Sequence, residues 1–224
     1  MPNVTSPEAL PPTRRGLFVA LEGTDGAGST SQGDLLAERL RSIGHTVIRT
    51  AQPSPLEIGR LLRQVLRGEI AGVDAPTVAL LFAADRVDHW QRLVAPALAA
   101  GQIVVCDRYV GSSLAFQVVD GAGGITPEWI LAINARAHPA DLTLWFDVPV
   151  DVAVARIAAR GQARERFEVT ETLQQVRARY TAIMADPPPQ LGRCLRFDAS
   201  QSLQAVAESV WQAVADLVPA PAGR

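Results

Sequence analysis

A glycine-rich turn near the start of the chain constrains the fold more than any other segment. The turn has the sequence GTDGAGST at residues 23–30, and it follows the apolar run at residues 17–21. Behind it, apolar residues recur at helical spacing from Leu35 to Ile43, and Gly44 suits the left-handed residue that ends a helix. The segment therefore predicts a strand, a tight turn and a helix in direct succession.

Apolar runs and helical patterns continue to alternate along the rest of the chain. Strand-like runs lie at residues 17–21, 46–49, 103–106, 142–146 and 194–197. The stretches between them are long enough for crossover helices, which favours a parallel sheet covered on both faces. The 224 residues thus predict an α/β protein with a parallel sheet and helices on both faces, and the glycine-rich turn between its first strand and first helix makes the sheet one of the P-loop NTPase type.

The domain boundaries follow from composition. We expect a flexible leader at residues 1–16, one domain at residues 17–218 and a flexible tail at residues 219–224. A helical pattern at residues 150–160 is followed by an arginine-rich stretch with little apolar content. This stretch, at about residues 160–168, is predicted to be a small mobile lid.

Composition also argues against several classes of protein. A net charge of -2 offers no broad basic field, so we expect no nucleic-acid binding. No uninterrupted apolar run is long enough for a membrane span or a secretory signal, so we expect no membrane association. Cys106 and Cys194 lie far apart, and Cys106 sits in an apolar run, which indicates a reducing compartment. We therefore expect a cytoplasmic protein.

The glycine-rich turn has the composition of a phosphate-binding loop. Its glycines allow backbone N–H groups to surround an anion, and the start of the following helix adds a favourable dipole. Both glycines and the terminal hydroxyl residue have P-loop spacing, although an ordinary strand-to-helix turn is the alternative. Thr30 is the expected hydroxyl on the side of a bound metal. The predicted phosphate-binding residues are Gly23, Gly26, Ala27, Gly28, Ser29, Thr30 and Ser31.

The turn lacks the lysine of the P-loop pattern, because Ser29 stands at that position. All 21 basic side chains of the protein are arginines, so no other lysine can replace it. A transferring polyphosphate requires positive charge, which arginine or Mg²⁺ must then supply. Two interpretations remain: a working kinase with a rearranged set of cations, or a nucleotide-binding protein with little turnover.

A second block suggests a site for a base. Residues 80–89 have the sequence LLFAADRVDH, which places Phe82, Asp85, Arg86 and His89 on adjoining faces of one helix. An aromatic ring and an arginine one turn apart can hold a base between them and bond its edge. The alternatives are core packing for Phe82 and a solvated ion pair for Asp85 with Arg86.

A third block places an acid and an arginine at the carboxyl end of a buried strand. Residues 102–109 have the sequence QIVVCDRY, and ligands of open α/β sheets bind at that end of the strands. Asp107 can hold metal-bound water there, and Arg108 can bind a phosphate in bidentate fashion. A structural ion pair between them is the alternative. Hydroxyl, aromatic and amide contacts can come from Ser112, Ser113, Phe116 and Gln117.

The order and approximate spacing of these motifs resemble the bacterial thymidylate kinases over residues 17–215. The matching features are the loop with Asp25 inside it, LFAADR, DRY followed by two serines, and an arginine-rich segment before FDA at residues 197–199. The resemblance implies an enzyme that phosphorylates thymidine monophosphate (dTMP) to the diphosphate with Mg²⁺ and ATP. Such an enzyme works by direct in-line transfer, usually as a homodimer, and supports dTTP synthesis.

The resemblance also implies roles on the acceptor side. Phe82 resembles the residue that stacks on thymine, Arg86 the contact to the base edge, and Arg63 with Arg108 the groups that bind the monophosphate. Ser113 and Gln117 match sugar and base contacts. The implied substrate-binding set is Arg63, Phe82, Arg86, Arg108, Ser113, Phe116 and Gln117.

The implied catalytic and metal residues lie around the loop and the lid. Asp25 resembles the loop acid that orients the acceptor or its metal, so the Mg²⁺ candidates are Thr30, Asp107 and Asp25. The loop itself has no arginine, whereas the lid segment has several, so lid closure is expected to supply the cation at the transferring phosphoryl group. The predicted catalytic set is Asp25, Arg108, Arg164 and Arg166, with Arg160 in the same segment.

The chain departs from the family pattern after the second strand and in the third block. Residues 51–53 are Ala-Gln-Pro in place of Arg-Glu-Pro, and Phe116 replaces a tyrosine thought to recognise the deoxyribose. Arg49 is a candidate replacement for the missing cation near the acceptor phosphate. A kinase with another nucleotide acceptor and a catalytically silent nucleotide-binding module remain as alternatives. The DRY strand end argues against a nucleoside kinase, for which a Glu-Arg-Ser type is expected.

Overall fold

A five-stranded sheet forms the centre of the molecule. The computed structural model describes residues 16–118, 124–159 and 170–218. The strands are β1 (Leu17–Gly23), β2 (Val47–Ala51), β3 (Ile103–Asp107), β4 (Leu142–Asp147) and β5 (Arg193–Asp198). All neighbouring strands pair in parallel in the order β2-β3-β1-β4-β5, which confirms the predicted parallel α/β fold. Each strand ends one or two residues beyond the apolar run that predicted it, because pairing continues into the polar strand ends.

Helices cover both faces of this sheet. They are α1 (Ser29–Ser42), α2 (Glu57–Leu66), α3 (Ala75–His89), α4 (Ala95–Ala99), α5 (Val110–Ser112), α6 (Pro127–Ile133), α7 (Val150–Ala159), α8 (Thr170–Ala185) and α9 (Leu203–Val214). Single π-helical turns join α3 to α4 and follow α5. The helix expected directly behind the glycine-rich turn is α1, and Gly44, just beyond its end, has the expected positive φ of 97°.

Alternate residues of β1 face two separate cores. Val19 and Leu21 pack into a cluster closed by α1, α7 and α9. Phe18 and Ala20 face the opposite cluster, which is closed by α3, α4 and α6. Because side chains alternate between the faces of a strand, this arrangement buries the central strand on both sides.

The strand order brings the functional segments to one edge of the sheet. β1 lies between β3 and β4, with Leu21 opposite Asp107 and Gly23 opposite Phe146. The turn after β1 therefore lies beside the carboxyl ends of both neighbours, the edge where open α/β sheets bind ligands. Among the described residues, no helix has the length and apolarity needed to cross a membrane. Apart from Gly16, the predicted leader, lid and tail lie outside those residues.

Candidate active site

The turn between β1 and α1 requires glycine at two positions. Gly26 and Gly28 have φ values of 80° and 85°, in the left-handed region that side chains disfavour. A Cβ atom on Gly26 would also lie 2.6 Å from the carbonyl oxygen of Ala153 in α7. The turn can therefore approach α7 closely while it leads the chain into α1.

The start of α1 is left open for an anion. No side chain caps this helix, and its first turn contains no acidic residue. By contrast α3, α6 and α9 are capped by the side chains of Asp74, Thr126 and Ser202. The first N–H groups of a helix have no partner within it, and the helix dipole favours negative charge there. The head of α1, where Ser29, Thr30 and Ser31 lie, therefore has the properties of an anion site, whereas the Ala27 N–H already donates to Thr24 O at 3.1 Å.

Two hydroxyl groups at the head of α1 bond the acid at the end of β3. Ser29 Oγ donates to Asp107 Oδ1 at 2.9 Å, and Thr30 Oγ1 donates to Asp107 Oδ2 at 2.5 Å. Within the described part of the chain, no group of three or more His, Cys, Asp or Glu side chains could hold a metal. Mg²⁺ is commonly bound by one or two carboxylates together with water and substrate phosphates. The Asp107 carboxylate and the adjoining Thr30 hydroxyl fit this ion. Asp25, the third Mg²⁺ candidate, does not join this group, because its carboxylate bonds Arg108.

Asp25 pairs with the arginine that follows β3. Arg108 Nη2 donates to the Asp25 carboxylate and Arg108 Nη1 donates to Gly23 O at 3.1 Å. Its guanidinium lies 4.6 Å from the ring centre of Phe116. Burial alone would lower the pKa of Arg108, but the combined charges around it outweigh burial and raise the pKa, with Asp25 as the largest of them, followed by Tyr180, Asp107 and Glu22. Arg108 adopts a φ of 64°, a conformation that non-glycine residues rarely keep outside functional sites.

A buried glutamate supports this arginine. Glu22 accepts hydrogen bonds from Tyr109 N at 2.9 Å, Ser112 Oγ at 2.6 Å and Tyr180 OH at 2.9 Å. Ser112 Oγ also accepts from Arg108 Nη1 at 3.2 Å. Burial raises the pKa of Glu22, while the hydrogen bonds from Ser112 and Tyr180 oppose the rise. No sequence motif predicted this network, although a glutamate inside an apolar strand was a signal for it.

Arg49 lies beside the head of α1. Its Nη2 donates to Thr30 O at 3.1 Å and lies 3.7 Å from Asp107 Oδ2, and its Nε donates to Asp34 Oδ1 at 3.0 Å. Gly33 makes room for the group, because a Cβ atom there would lie 2.5 Å from Nη2. The candidate replacement for a cation on the acceptor side is therefore directed at the phosphate loop.

The acceptor side is organised around the turn at residues 52–54. Asp85 accepts from Ser54 N at 2.7 Å and from Ser54 Oγ at 2.5 Å. Arg63, a predicted contact for the monophosphate, donates to Pro53 O at 2.7 Å and Ser54 O at 2.5 Å. Asp85 is fully buried, so its interpretation as half of a solvated ion pair is wrong.

Arg86 is a buried cation that bonds neutral oxygens. Its Nε donates to Gln52 Oε1 at 2.9 Å, its Nη1 to Asn134 Oδ1, and its Nη2 to Tyr109 O at 3.1 Å and Ser113 Oγ at 3.0 Å. No ion pair to Arg86 occurs within the described ranges, and burial lowers its pKa. Two predicted substrate contacts, Arg86 and Ser113, are thus bonded to each other.

The remaining predicted acceptor residues line the same region. Phe82 is half-buried on α3, so the residue is partly accessible. Phe116 lies beneath Arg108 and meets the Tyr180 ring edge-on at 6.2 Å. Gln117 is buried, and its Oε1 has no hydrogen-bond partner in the part of the chain that the structure describes.

An arginine of α7 also reaches the phosphate loop. Arg156 Nη1 donates to Gly26 O at 3.5 Å, and its Nη2 donates to Gln201 O at 3.4 Å. The arginines predicted for the lid were Arg160, Arg164 and Arg166, all outside the described residues, whereas Arg156 was not predicted. Its spacing of four residues before Arg160 would have placed both on one helix face.

A separate ionic group lies at the end of β4. Asp147 accepts from Arg177 Nε at 2.7 Å and from Arg196 Nη2 at 2.5 Å. Burial opposes ionisation of Asp147, but the two arginines outweigh this effect and lower its pKa. The group connects α8 to β4 and β5.

The parallel sheet, the open glycine-rich turn and the linked Asp25–Arg108 pair define a P-loop protein of the nucleotide-kinase class. Known proteins give the same assignment. A family model described as thymidylate kinase matches residues 21–210. The chain belongs to the thymidylate kinase family, as its motifs predicted.

Individual relatives match most of the chain. A thymidylate kinase of Synechococcus is 40% identical over 215 residues, which cover 93% of this chain and 99% of the relative. A thymidylate kinase of Pseudomonas fluorescens is 38% identical over 201 residues, covering 87% and 93%. A probable thymidylate kinase of Pyrococcus abyssi is 42% identical over 170 residues, covering 74% and 82%.

Proposed function

We propose that this protein transfers the γ-phosphoryl group of ATP to thymidine monophosphate, giving thymidine diphosphate and ADP for dTTP synthesis. The observation that carries the proposal is the contact between the two halves of the site. Arg108, the predicted acceptor arginine, bonds both Gly23 O and Asp25 of the phosphate loop. A phosphate held by Arg108 would therefore lie next to the phosphates held by the loop.

The phosphate loop and the acceptor arginine supply position and charge. The open N–H groups at the head of α1 would bind the ATP phosphates, and Arg108 would bind the acceptor phosphate. The acceptor phosphate is ionised near neutral pH, so its oxygen can attack the γ-phosphorus in line without a general base. The bond from the γ-phosphorus to the bridging oxygen breaks as the new one forms, and ADP leaves.

Mg²⁺ and the lid complete the proposed site. Thr30 and Asp107 would hold Mg²⁺, with Asp25 as a further candidate that would first have to release Arg108. The ion, when bound, neutralises charge on the phosphates. Arg164 and Arg166 are proposed to approach the transferring group when the lid closes. Arg156 already contacts Gly26 O and would supply positive charge there before closure.

Acceptor recognition would combine stacking with hydrogen bonds. Phe82 is proposed to stack on thymine, and the unpartnered Oε1 of Gln117 to accept from the base or sugar. Most N–H groups of Arg86 already donate to protein oxygens, so Arg86 would contribute by holding Gln52 and Ser113 in place around the base. Arg63 would act in the same way through the turn at residues 52–54.

The test is release of ADP from Mg·ATP, followed with thymidine, uridine, cytidine and adenosine monophosphates as separate acceptors. We expect turnover with dTMP to exceed ATP hydrolysis without acceptor. Arg108→Met should remove that turnover. Equal background hydrolysis with every acceptor would refute the proposal and favour the silent module, for which Ser29 is the supporting observation. Family membership and the intact Asp25–Arg108 pair favour the kinase.

Two further proposals concern the setting of the enzyme. Exposed apolar side chains lie on α2 and α3, at Leu61, Leu66, Leu80 and Val87, and they support a homodimer through these helices. Sedimentation should show a dimer that Leu80→Asp dissociates; a monomeric parent protein would refute this. We also infer a cytoplasmic location, consistent with the free thiols of the two cysteines.

A further inference from the structure

We propose that Arg49 is a positioning residue for the nucleotide phosphates and carries part of the task that a P-loop lysine performs elsewhere. The inference rests on the proposed function, since it concerns the nucleotide bound at the phosphate loop. A transferring polyphosphate requires nearby positive charge, but position 29 holds a serine and the chain has no lysine.

Arg49 contacts the first turn of α1 and also the acid, Asp107, that Ser29 and Thr30 bond. Its guanidinium bonds the carbonyl oxygen of Thr30 and lies 3.7 Å from Asp107, whose carboxylate accepts from both hydroxyls at the head of α1. The side chain is only 17% exposed, so water screens its charge less than that of a surface arginine. Arg49 therefore adds a weakly screened positive charge beside Asp107 and the first turn of α1, in addition to the charge of any Mg²⁺ that Asp107 holds.

Gly33 provides the space for this guanidinium. It lies inside α1, where glycine is less favourable than alanine. A Cβ atom there would lie 2.5 Å from Arg49 Nη2 and 2.5 Å from Leu21 Cδ1. The space left by Gly33 therefore accommodates the Arg49 guanidinium between β2 and α1.

Arg49 acts through Asp107 and the first turn of α1. It offsets the charge of the acid that faces the phosphates and holds the Thr30 carbonyl, so that the helix presents its N–H groups in a fixed direction. A lysine at position 29 would instead extend its ammonium to the phosphates directly. The consequence is that Arg49 affects nucleotide affinity and has little effect on dTMP affinity.

The test measures binding of Mg·ADP and of dTMP by calorimetry. Arg49→Gln is expected to weaken Mg·ADP binding by about tenfold or more, the scale of one charge-assisted contact, and dTMP binding by less than about twofold. Ser29→Lys added to Arg49→Gln should restore most of the lost Mg·ADP affinity. Arg41→Gln is the matched control: Arg41 also bridges α1 and β2, through Val47 O at 3.0 Å, but at the end far from the loop.

The inference is wrong if Arg49→Gln binds Mg·ADP like the parent protein, or if both ligands weaken equally. If Arg49→Gln does not fold, Gly33→Ala serves instead, because it displaces the guanidinium without removing its charge; it should weaken Mg·ADP binding selectively, and unchanged affinity would again overturn the inference. If the parent protein binds Mg·ADP but transfers nothing to dTMP, the proposed kinase activity is refuted. The binding results would still decide whether Arg49 supports nucleotide binding.

Discussion

Tyr180→Phe tests the buried network behind Arg108. The substitution keeps the ring and removes one hydroxyl, which donates to Glu22 Oε2 at 2.9 Å and lies 2.9 Å from Ser112 Oγ. A buried hydrogen bond to a charged group contributes about 1.5–3 kcal/mol and one between neutral groups about 0.5–1.5 kcal/mol. We therefore expect a loss of about 2–4 kcal/mol in the free energy of unfolding. At about 2–4 °C per kcal/mol, the middle of that range lowers Tm by about 6–12 °C.

The loss should depend on pH in a defined direction. Because burial raises the pKa of Glu22 in the folded protein, the contribution of this carboxyl to stability is fully present below its unfolded value and is lost as pH rises through the folded value. Removal of the Tyr180 hydroxyl raises the folded pKa further, since that hydroxyl stabilises the ionised form. The destabilisation by Tyr180→Phe should therefore be larger at pH 8 than at pH 5 in urea unfolding.

Tyr109→Phe provides the matched control. Tyr109 is the other tyrosine of the chain, is equally buried, and donates its hydroxyl to His138 O at 2.9 Å, away from the Glu22 carboxylate. It should cost about 1 kcal/mol with little change between the two pH values. In steady-state kinetics Tyr180→Phe should raise KM for dTMP more than KM for ATP, because Ser112 orients Arg108. Equal stability losses for both variants at both pH values would refute the reasoning.

Three other substitutions test separate parts of the structure. Asp147→Asn should cost about 1–2 kcal/mol near neutral pH, discounted for its half-exposed arginine partners. Because the folded pKa is lowered, this cost should be fully present above pH 3.8 and be lost as the pH falls through the folded pKa; urea unfolding across that range measures it. Gly26→Ala should weaken Mg·ADP binding more than Gly28→Ala, since both positions have positive φ but only Gly26 meets the Ala153 carbonyl; calorimetry that finds equal losses would contradict this. Ser54→Ala should lower the free energy of unfolding by about 1–3 kcal/mol by leaving a buried carboxylate short of a donor, whereas a loss below about 0.5 kcal/mol in thermal unfolding would contradict it.

The parts of the fold that follow from local pattern were predictable. Apolar runs identified all five strands, and glycine spacing located the turn before α1, because those signals depend on neighbouring residues alone. The placement of Asp107 and Arg108 at the binding edge followed from their position directly after an apolar run. Each of these predictions required only the direction of one strand.

Contacts between distant segments were not predictable in the same way. Glu22 and Tyr180 are 158 positions apart, and neither has a local pattern that names the other. For Asp85 and Arg86 the error was the reverse: their adjacency in sequence suggested a solvated ion pair between them, and each bonds a distant residue instead. Consecutive residues of a helix do not face each other, so each of the two found a different partner, in Ser54 and Gln52.

The absence of lysine has a structural counterpart in how arginines contact the phosphate loop. Arg108, Arg156 and Arg49 each donate to a carbonyl of the loop or of the first turn of α1, at Gly23, Gly26 and Thr30. A lysine ammonium is a mobile point charge that can reach a phosphate, whereas the guanidinium is a planar fork that bonds several oxygens at once. Bonds to these carbonyls do not use the N–H groups at the head of α1, and they hold three positively charged groups next to the loop. Because this charge comes from three separate elements, β2, the end of β3 and α7, the loss of any one arginine should weaken nucleotide binding only in part, on the scale of the roughly tenfold loss expected for Arg49→Gln, in contrast to the loss of a single lysine on which a P-loop otherwise depends.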